Sequence, residues 1–192
     1  MLKSKELTGE ANKINLMNEI MEKFNQIYAK YRNKFPISVI DIAHELGIGV
    51  YKTSELPDNI SGFITKEEDG RFSIYVNQKH SATRKMFTIA HEVGHYVLHS
   101  DVIASGNQFI THPKSDFFLE SAMARSNELN NNEIDKKRET EANKFAADLL
   151  MPLEEFKKIV DKYDDIHQVA EYFGVSCSAA SIRAASIGKY YI

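Results

Sequence analysis

Apolar residues recur at intervals of three and four from Ile14 to Tyr31, through Met17, Ile20, Met21, Phe24, Ile27 and Tyr28. That is the period of a helix with one buried face. The polar residues 1–12 before it are expected to fray. Pro36 ends the connection that follows. Ser38 and Asp41 form a capping box for a short helix through Val39, Ile40, Ile42, Ala43 and Leu46, which Gly47 stops. The period then changes. Ile48 to Tyr51 reads as a short strand. Phe72, Ile74 and Val76 alternate with Ser73, Tyr75 and Asn77, so residues 61–66 and 71–77 read as a hairpin turned at Asp69-Gly70. Ser81 caps a long helix reaching His99. Met86, Phe87, Ile89, Ala90, Val93, Val97 and Leu98 cover so wide an arc of it that most of its surface must be buried.

Periodicity is lost between residues 101 and 135. Ser115 to Arg125 reads as a helix with Phe117, Phe118, Leu119, Ala122 and Met123 apolar, and Asn127 to Asn132 is a polar run. A long stretch of this kind serves as a lid, a binding loop or a disordered insert, and the pattern does not choose among them. Helical period returns from about Lys136 to Met151, with Ala142, Phe145, Ala146, Leu149 and Leu150 on the buried face. Pro152 ends this helix or opens the next, which runs from Glu154 to Tyr163. Residues 166–187 read as two short helices around Gly174-Val175-Ser176, with small residues at Ala179, Ala180, Ala184 and Ala185 for close packing. The expected organisation is an N-terminal helix (1–35), a core (36–152, with 101–135 a variable insert) and a helix-turn-helix-like subdomain (153–192).

Composition narrows the classes. The single cysteine, Cys177, excludes an intrachain disulfide framework and suits a reducing compartment. A net charge of −3 leaves no global basic field to draw in nucleic acid. The opening MLKSKELTGEANK lacks the apolar stretch of a signal peptide, and no apolar run approaches membrane-spanning length. A cytoplasmic location without membrane attachment is the expectation.

The chemistry lies in His91-Glu92-Val93-Gly94-His95. On a helix, residues four apart sit one turn apart on nearly the same face. His91 and His95 can therefore aim two imidazoles at one metal ion, with Glu92 about 100° round the helix beside it. Zinc suits neutral imidazoles, needs no redox partner and lowers the pKa of bound water towards ~7. Glu92 would take that water's proton. Three histidines (His91, His95 and His99) on one flank of a buried helix would be costly without partners.

A catalytic zinc wants three protein ligands and one open position. Glu139, Glu141, His99, His112 and His80 are candidates for the third. On the helix of residues 136–151, Glu139 lies about 50° from the centre of the apolar face and Glu141 about 110°. Glu139 thus points inward with Ala142 and Ala146, whose small side chains let two helices approach. Asn143, one turn on, could orient a ligand histidine. His99 reads as a buried, hydrogen-bonded histidine. Tyr96, His112 and Arg84 are candidates for the oxyanion donor, and spacing does not separate them.

FTIAHEVGHYVLH followed by ETEANKFAADLLMP resembles the ImmA/IrrE metallopeptidase family. The likeness extends through SVIDIAHELGIGV, the hairpin segment and VAEYFGVSCSAASIRAASIG, about residues 36–188. It implies an α+β, thermolysin-like zincin fold, with a small antiparallel sheet, an active-site helix, a glutamate-bearing helix and a C-terminal helical subdomain. It implies metal ligands at His91, His95 and Glu139, and a base at Glu92. It also implies a zinc endopeptidase of a bacterium or mobile element that cleaves a helix-turn-helix repressor. Residues 101–135 do not match the family pattern.

Other classes compete. Ala170, Gly174 and Val175 suit a DNA-binding helix-turn-helix, but residues 164–192 set Arg183 and Lys189 against Asp164, Asp165 and Glu171. Phosphate contacts need several cations on one face, so direct nucleic-acid binding is not expected. A partner of the toxin–antitoxin type, binding a repressor without cutting it, is the remaining alternative.

Overall fold

The computed structural model describes the backbone of residues 2–104, 109–111 and 133–191, and the side chains of residues 14–103 and 133–191. The order is α1 (Leu2–Tyr31), α2 (Val39–Leu46), β1 (Ile48–Thr53), β2 (Gly62–Lys66), β3 (Phe72–Asn77), α3 (Ala82–Ala104), β4 (Phe109–Thr111), α4 (Glu133–Leu150), α5 (Leu153–Lys162), α6 (Ile166–Phe173) and α7 (Cys177–Ser186). The fold is mixed α+β. The backbone of α1 is helical from Leu2, where fraying was expected, and α4 starts three residues before the expected Lys136. The expected helix at 115–125 lies outside the described residues.

Local chemistry accounts for the boundaries. Ser38 accepts the Asp41 N–H at the start of α2, and Gly47 ends it in the left-handed region at φ 88°, a conformation that costs glycine little. Ser81 accepts the Arg84 N–H at the start of α3. Asp165 and Ser176 cap α6 and α7 in the same way, each satisfying an amide that has no partner within its helix.

The sheet order is β1-β3-β2-β4. The expected hairpin is present: β2 and β3 pair antiparallel, with Ile64 opposite Ile74. β4 adds antiparallel to the other side of β2. β1, however, runs parallel to β3, with Val50 opposite Ile74. The sheet is therefore mixed, which corrects the expectation of an antiparallel one. Alternation in residues 48–53 reports a strand without reporting its neighbour. The link through residues 54–61 carries the chain past β3, leaving β1 on the far side of the hairpin. Buried Asn77 fastens that link, its Nδ2 donating to the carbonyls of Pro57 (3.0 Å) and Ile60 (2.9 Å).

α3 is the central element. It packs against α4, α1, α2 and the sheet, and every residue from Phe87 to His95 is buried. One hydrophobic cluster runs from Phe24 and Ile27 of α1, through Ile42, Ile74 and Val93, to Phe156, Phe173 and Ala184. α3 breaks at His99, whose backbone leaves the helical region at φ −136°, ψ 25°. At the other end of the chain, buried Arg183 of α7 donates to Asp148 Oδ1 (2.6 Å) and the Met151 carbonyl (3.0 Å). That ties α7 to the end of α4. Among the described residues, no helix is long and apolar enough to cross a membrane.

Candidate metal centre

α3 and α4 face each other across a narrow gap. Gly94 makes the gap possible: a Cβ there would meet Phe145 Cδ1 at 3.1 Å and the Ala142 backbone at 3.2–3.3 Å. Two of those contacts are with main chain, which cannot rotate away. Ala142 and Ala146 present no side chain beyond Cβ from the opposite helix, and both are fully buried. Small residues on both helices thus bring the backbones close enough for a carboxylate on α4 to reach histidines on α3.

Glu139 makes that reach. Its Oε2 lies 3.3 Å from His91 Nε2 and its Oε1 lies 3.2 Å from His95 Nε2. The two Nε2 atoms are 3.0 Å apart, with the rings edge to face at 4.6 Å between centroids. The structure therefore brings His91, His95 and Glu139 into one group with the donor types and spacing to hold a metal. Both histidines are buried, while the Glu139 side chain is 40% exposed, so the group opens to solvent on the α4 side.

The electrostatics follow from this placement. For His91, burial opposes protonation, but the contacts with Glu139 and the charge of Glu92 outweigh it, and the pKa is raised. Asn143, one turn after Glu139, acts on His91 in the same direction. For His95, burial prevails, aided by the charge of His91, and the pKa falls to about 4. Burial alone would raise Glu139, yet its hydrogen bonds to the two imidazoles hold it well below the usual carboxylate range. Glu139 is thus a carboxylate at neutral pH. The two imidazoles and the carboxylate are close enough to titrate as one coupled set rather than singly.

Glu92 is fully buried (0% exposed) next to His91. His99 is buried too; its Nε2 donates to the Arg138 carbonyl of α4 at 3.3 Å and lies 3.6 Å from Glu141 Oε2. Its pKa is lowered by burial. His99 thus ties α3 to α4 one turn beyond His95, at the break in α3. The pattern identified a buried, bonded histidine but gave no sign of the break, since a main-chain carbonyl leaves no trace in residue type. Glu141 faces His99 and Lys137, and His80 sits near the start of α3 with Nε2 3.3 Å from the Asp58 carbonyl. Tyr96 packs edge-on against Phe72 of β3. Arg84 Nε donates to Ser61 Oγ at 3.1 Å. His112 lies outside the described residues.

No curated protein matches the chain. Among solved structures it is similar to a Mycobacterium tuberculosis transcriptional regulator, with 21% identity and a TM-score of 0.53 over 89% of this chain. The chain spans about half of that regulator (47% of its length), and at this identity the likeness is one of fold. The model of a peptidase family, described as the IrrE N-terminal-like domain, matches residues 43–185, from α2 through both facing helices to α7, and the chain belongs to that family.

Proposed function

We propose that this protein is a zinc-dependent endopeptidase whose substrate is a helix-turn-helix transcriptional repressor. The observation that carries the metal assignment is the donor triangle itself. Its three sides of 3.0, 3.2 and 3.3 Å are close to the separation that ~2.0–2.1 Å bonds to one tetrahedral ion require. Two imidazoles and one carboxylate, with one side open to solvent, form the donor set of a catalytic rather than a structural zinc site. Bound there, zinc would polarise the scissile carbonyl and lower the pKa of its water towards ~7.

The remaining work falls to side chains. His91, His95 and Glu139 hold the ion in place. Glu92, buried beside His91, accepts the proton of the attacking water and returns it to the leaving amine. Asn143, one turn on from Glu139, is placed to orient the His91 ring. His99 holds α4 at its distance from α3, and so holds Glu139 against the histidines.

Two observations favour a protein substrate over DNA. Membership of a peptidase family supports hydrolysis of peptide bonds. The basic residues of the C-terminal segment are also engaged: Arg183 with Asp148, and Lys189 with Asp161 at 2.7 Å. No cationic stripe for phosphates remains there. The repressor should be cut in a linker or a locally unfolded segment, where an extended backbone can enter the site. Incubation of the zinc-loaded protein with helix-turn-helix repressors from the same genome is expected to cut one of them into two fragments. A zinc chelator should stop the reaction and added zinc restore it. Repressors all left intact under these conditions, with zinc shown to be bound, would overturn the substrate assignment.

Gly94→Ala tests the spacing of the helices. Alanine gains about 1 kcal/mol of helix propensity over glycine, while overpacking costs ~1–3 kcal/mol. The metal-free protein should therefore lose at most ~2 kcal/mol of stability. Parting α3 from α4 by a few tenths of an ångström draws Glu139 back from the histidines, so zinc affinity should fall by roughly tenfold or more. Unchanged affinity in a competition titration would show that the contact at Gly94 does not set the donor spacing.

A further inference from the structure

A cavity of about 500 Å³ lies between the start of α3 and the start of α7. It approaches the candidate metal centre through one wall residue: Phe87 lies one turn before His91, with ring centroids 6.5 Å apart. Its lining divides by chemistry. Phe87, Val175, Ala179 and Ile182 supply an apolar wall, while Arg84, Lys79 and His80 supply cationic or protonatable groups. Ser81, Thr83, Ser176 and Ser178 add four hydroxyls. Among the described residues, no carboxylate lines the cavity; Lys79 of the lining pairs with Asp58 at 3.1 Å. The helix caps Ser81 and Ser176 both lie in the lining, so two helix N-termini add partial positive charge to that of Arg84.

We infer that this cavity is a specificity pocket for an acidic side chain, glutamate or aspartate, close to the scissile bond of the substrate. The inference rests on the peptidase reading above. One helical turn rises about 5.4 Å and consecutive Cα atoms are 3.8 Å apart. A peptide whose reacting carbonyl lies at His91 and His95 therefore places a residue one or two positions away over the cavity. The methylene stem packs on Phe87 and Ile182. The carboxylate meets the Arg84 guanidinium, which Ser61 orients through Nε, and the hydroxyls of the two caps. A lysine or arginine side chain would instead meet like charge in a confined space, and is rejected.

The test measures binding, so that it does not depend on hydrolysis. The probe is a blocked, alanine-rich peptide with one central glutamate, compared with the same peptide carrying glutamine. The receptor is the full-length Glu92→Gln protein loaded with zinc. Affinity for the glutamate peptide should exceed that for the glutamine peptide by about tenfold, the scale of one charge-assisted hydrogen bond. Arg84→Gln should erase that difference. Arg84 also bonds Ser61, so Ser178→Glu serves as the second variant: Ser178 is exposed, and an acid in the first turn of α7 favours the helix. It should erase the preference by repulsion while leaving the fold intact. Equal affinity for the two peptides, or a glutamate preference that survives both variants, overturns the inference. Hydrolysis is read separately on the wild-type protein. A chain that binds the glutamate peptide but cuts nothing keeps the pocket and loses the peptidase reading. One that cuts peptides without acidic preference does the reverse.

Discussion

Glu92→Gln is expected to keep its zinc and to hydrolyse peptide about 10³-fold more slowly, within the range that a positioned acid–base group contributes. The position explains why the effect should be so selective. Glu92 is fully buried, between His91 and His95 in the sequence of α3, so its carboxylate is not stabilised by water. Glutamine has nearly the same volume and leaves no cavity. Burying an amide also costs less than burying a carboxylate, so the variant should be at least as stable as the wild type. It cannot accept the water's proton, and no other carboxylate on α3 is placed to do so: the group opposite is Glu139, engaged with both imidazoles. Zinc content by elemental analysis and cleavage of the repressor, measured on one preparation, give the answer. A variant that cuts at the wild-type rate would remove Glu92 as the base. One that loses both zinc and cleavage would make Glu92 a structural residue of the site.

Most of the candidate site's geometry was legible because it depends on periods. The interval of four from His91 to His95 needs only a helix, and the apolar residues from Met86 to Leu98 predict that helix and its burial. The phase of α4 could be read from Ala142, Phe145, Ala146, Leu149 and Leu150, and it separates Glu139 from Glu141 without any structure. The caps were legible at Ser38, Gly47 and Ser81 because a side-chain hydroxyl or a missing Cβ is written in the residue type. What escaped depends on partners distant in the chain. The direction of β1 is set by the course of residues 54–61, not by its own alternation. β4 is a three-residue strand, too short for any period. The break in α3 coincides with His99 donating to a carbonyl on α4, and Arg183 is taken inside by Asp148 and the Met151 carbonyl. In the sequence Arg183 is only one of two cations set against three acids in residues 164–192; its partners make it a tie between α7 and α4. The cavity beside Phe87 needs α7 to fold back over the start of α3, and no local pattern encodes that.

The paired variants Glu139→Ala and Glu141→Ala test whether helix phase selects the third ligand. Their exposure does not distinguish them, since the two side chains are 40% and 43% exposed. Their direction does. The Glu139 carboxylate bridges His91 and His95, whereas Glu141 lies 3.6 Å from His99 Nε2 and 3.8 Å from Lys137 Nζ. Removing Glu139 deletes one of three donors and the only anionic one in the triangle. Zinc affinity should then fall well beyond the 10–100-fold that second-layer changes cost. Removing Glu141 leaves the three donors in place and loses its contacts to His99 and Lys137 on a half-exposed carboxylate, so the loss should stay under about tenfold. His91→Ala supplies the reference, since it also deletes one donor and should lose zinc as completely as Glu139→Ala. Competition titration against a chromophoric chelator resolves all three. Equal losses for Glu139→Ala and Glu141→Ala would overturn the phase assigned to α4, and a greater loss for Glu141→Ala would mean that α4 is rotated by about half a turn. A wild-type zinc content after His91→Ala would place the metal elsewhere in the molecule.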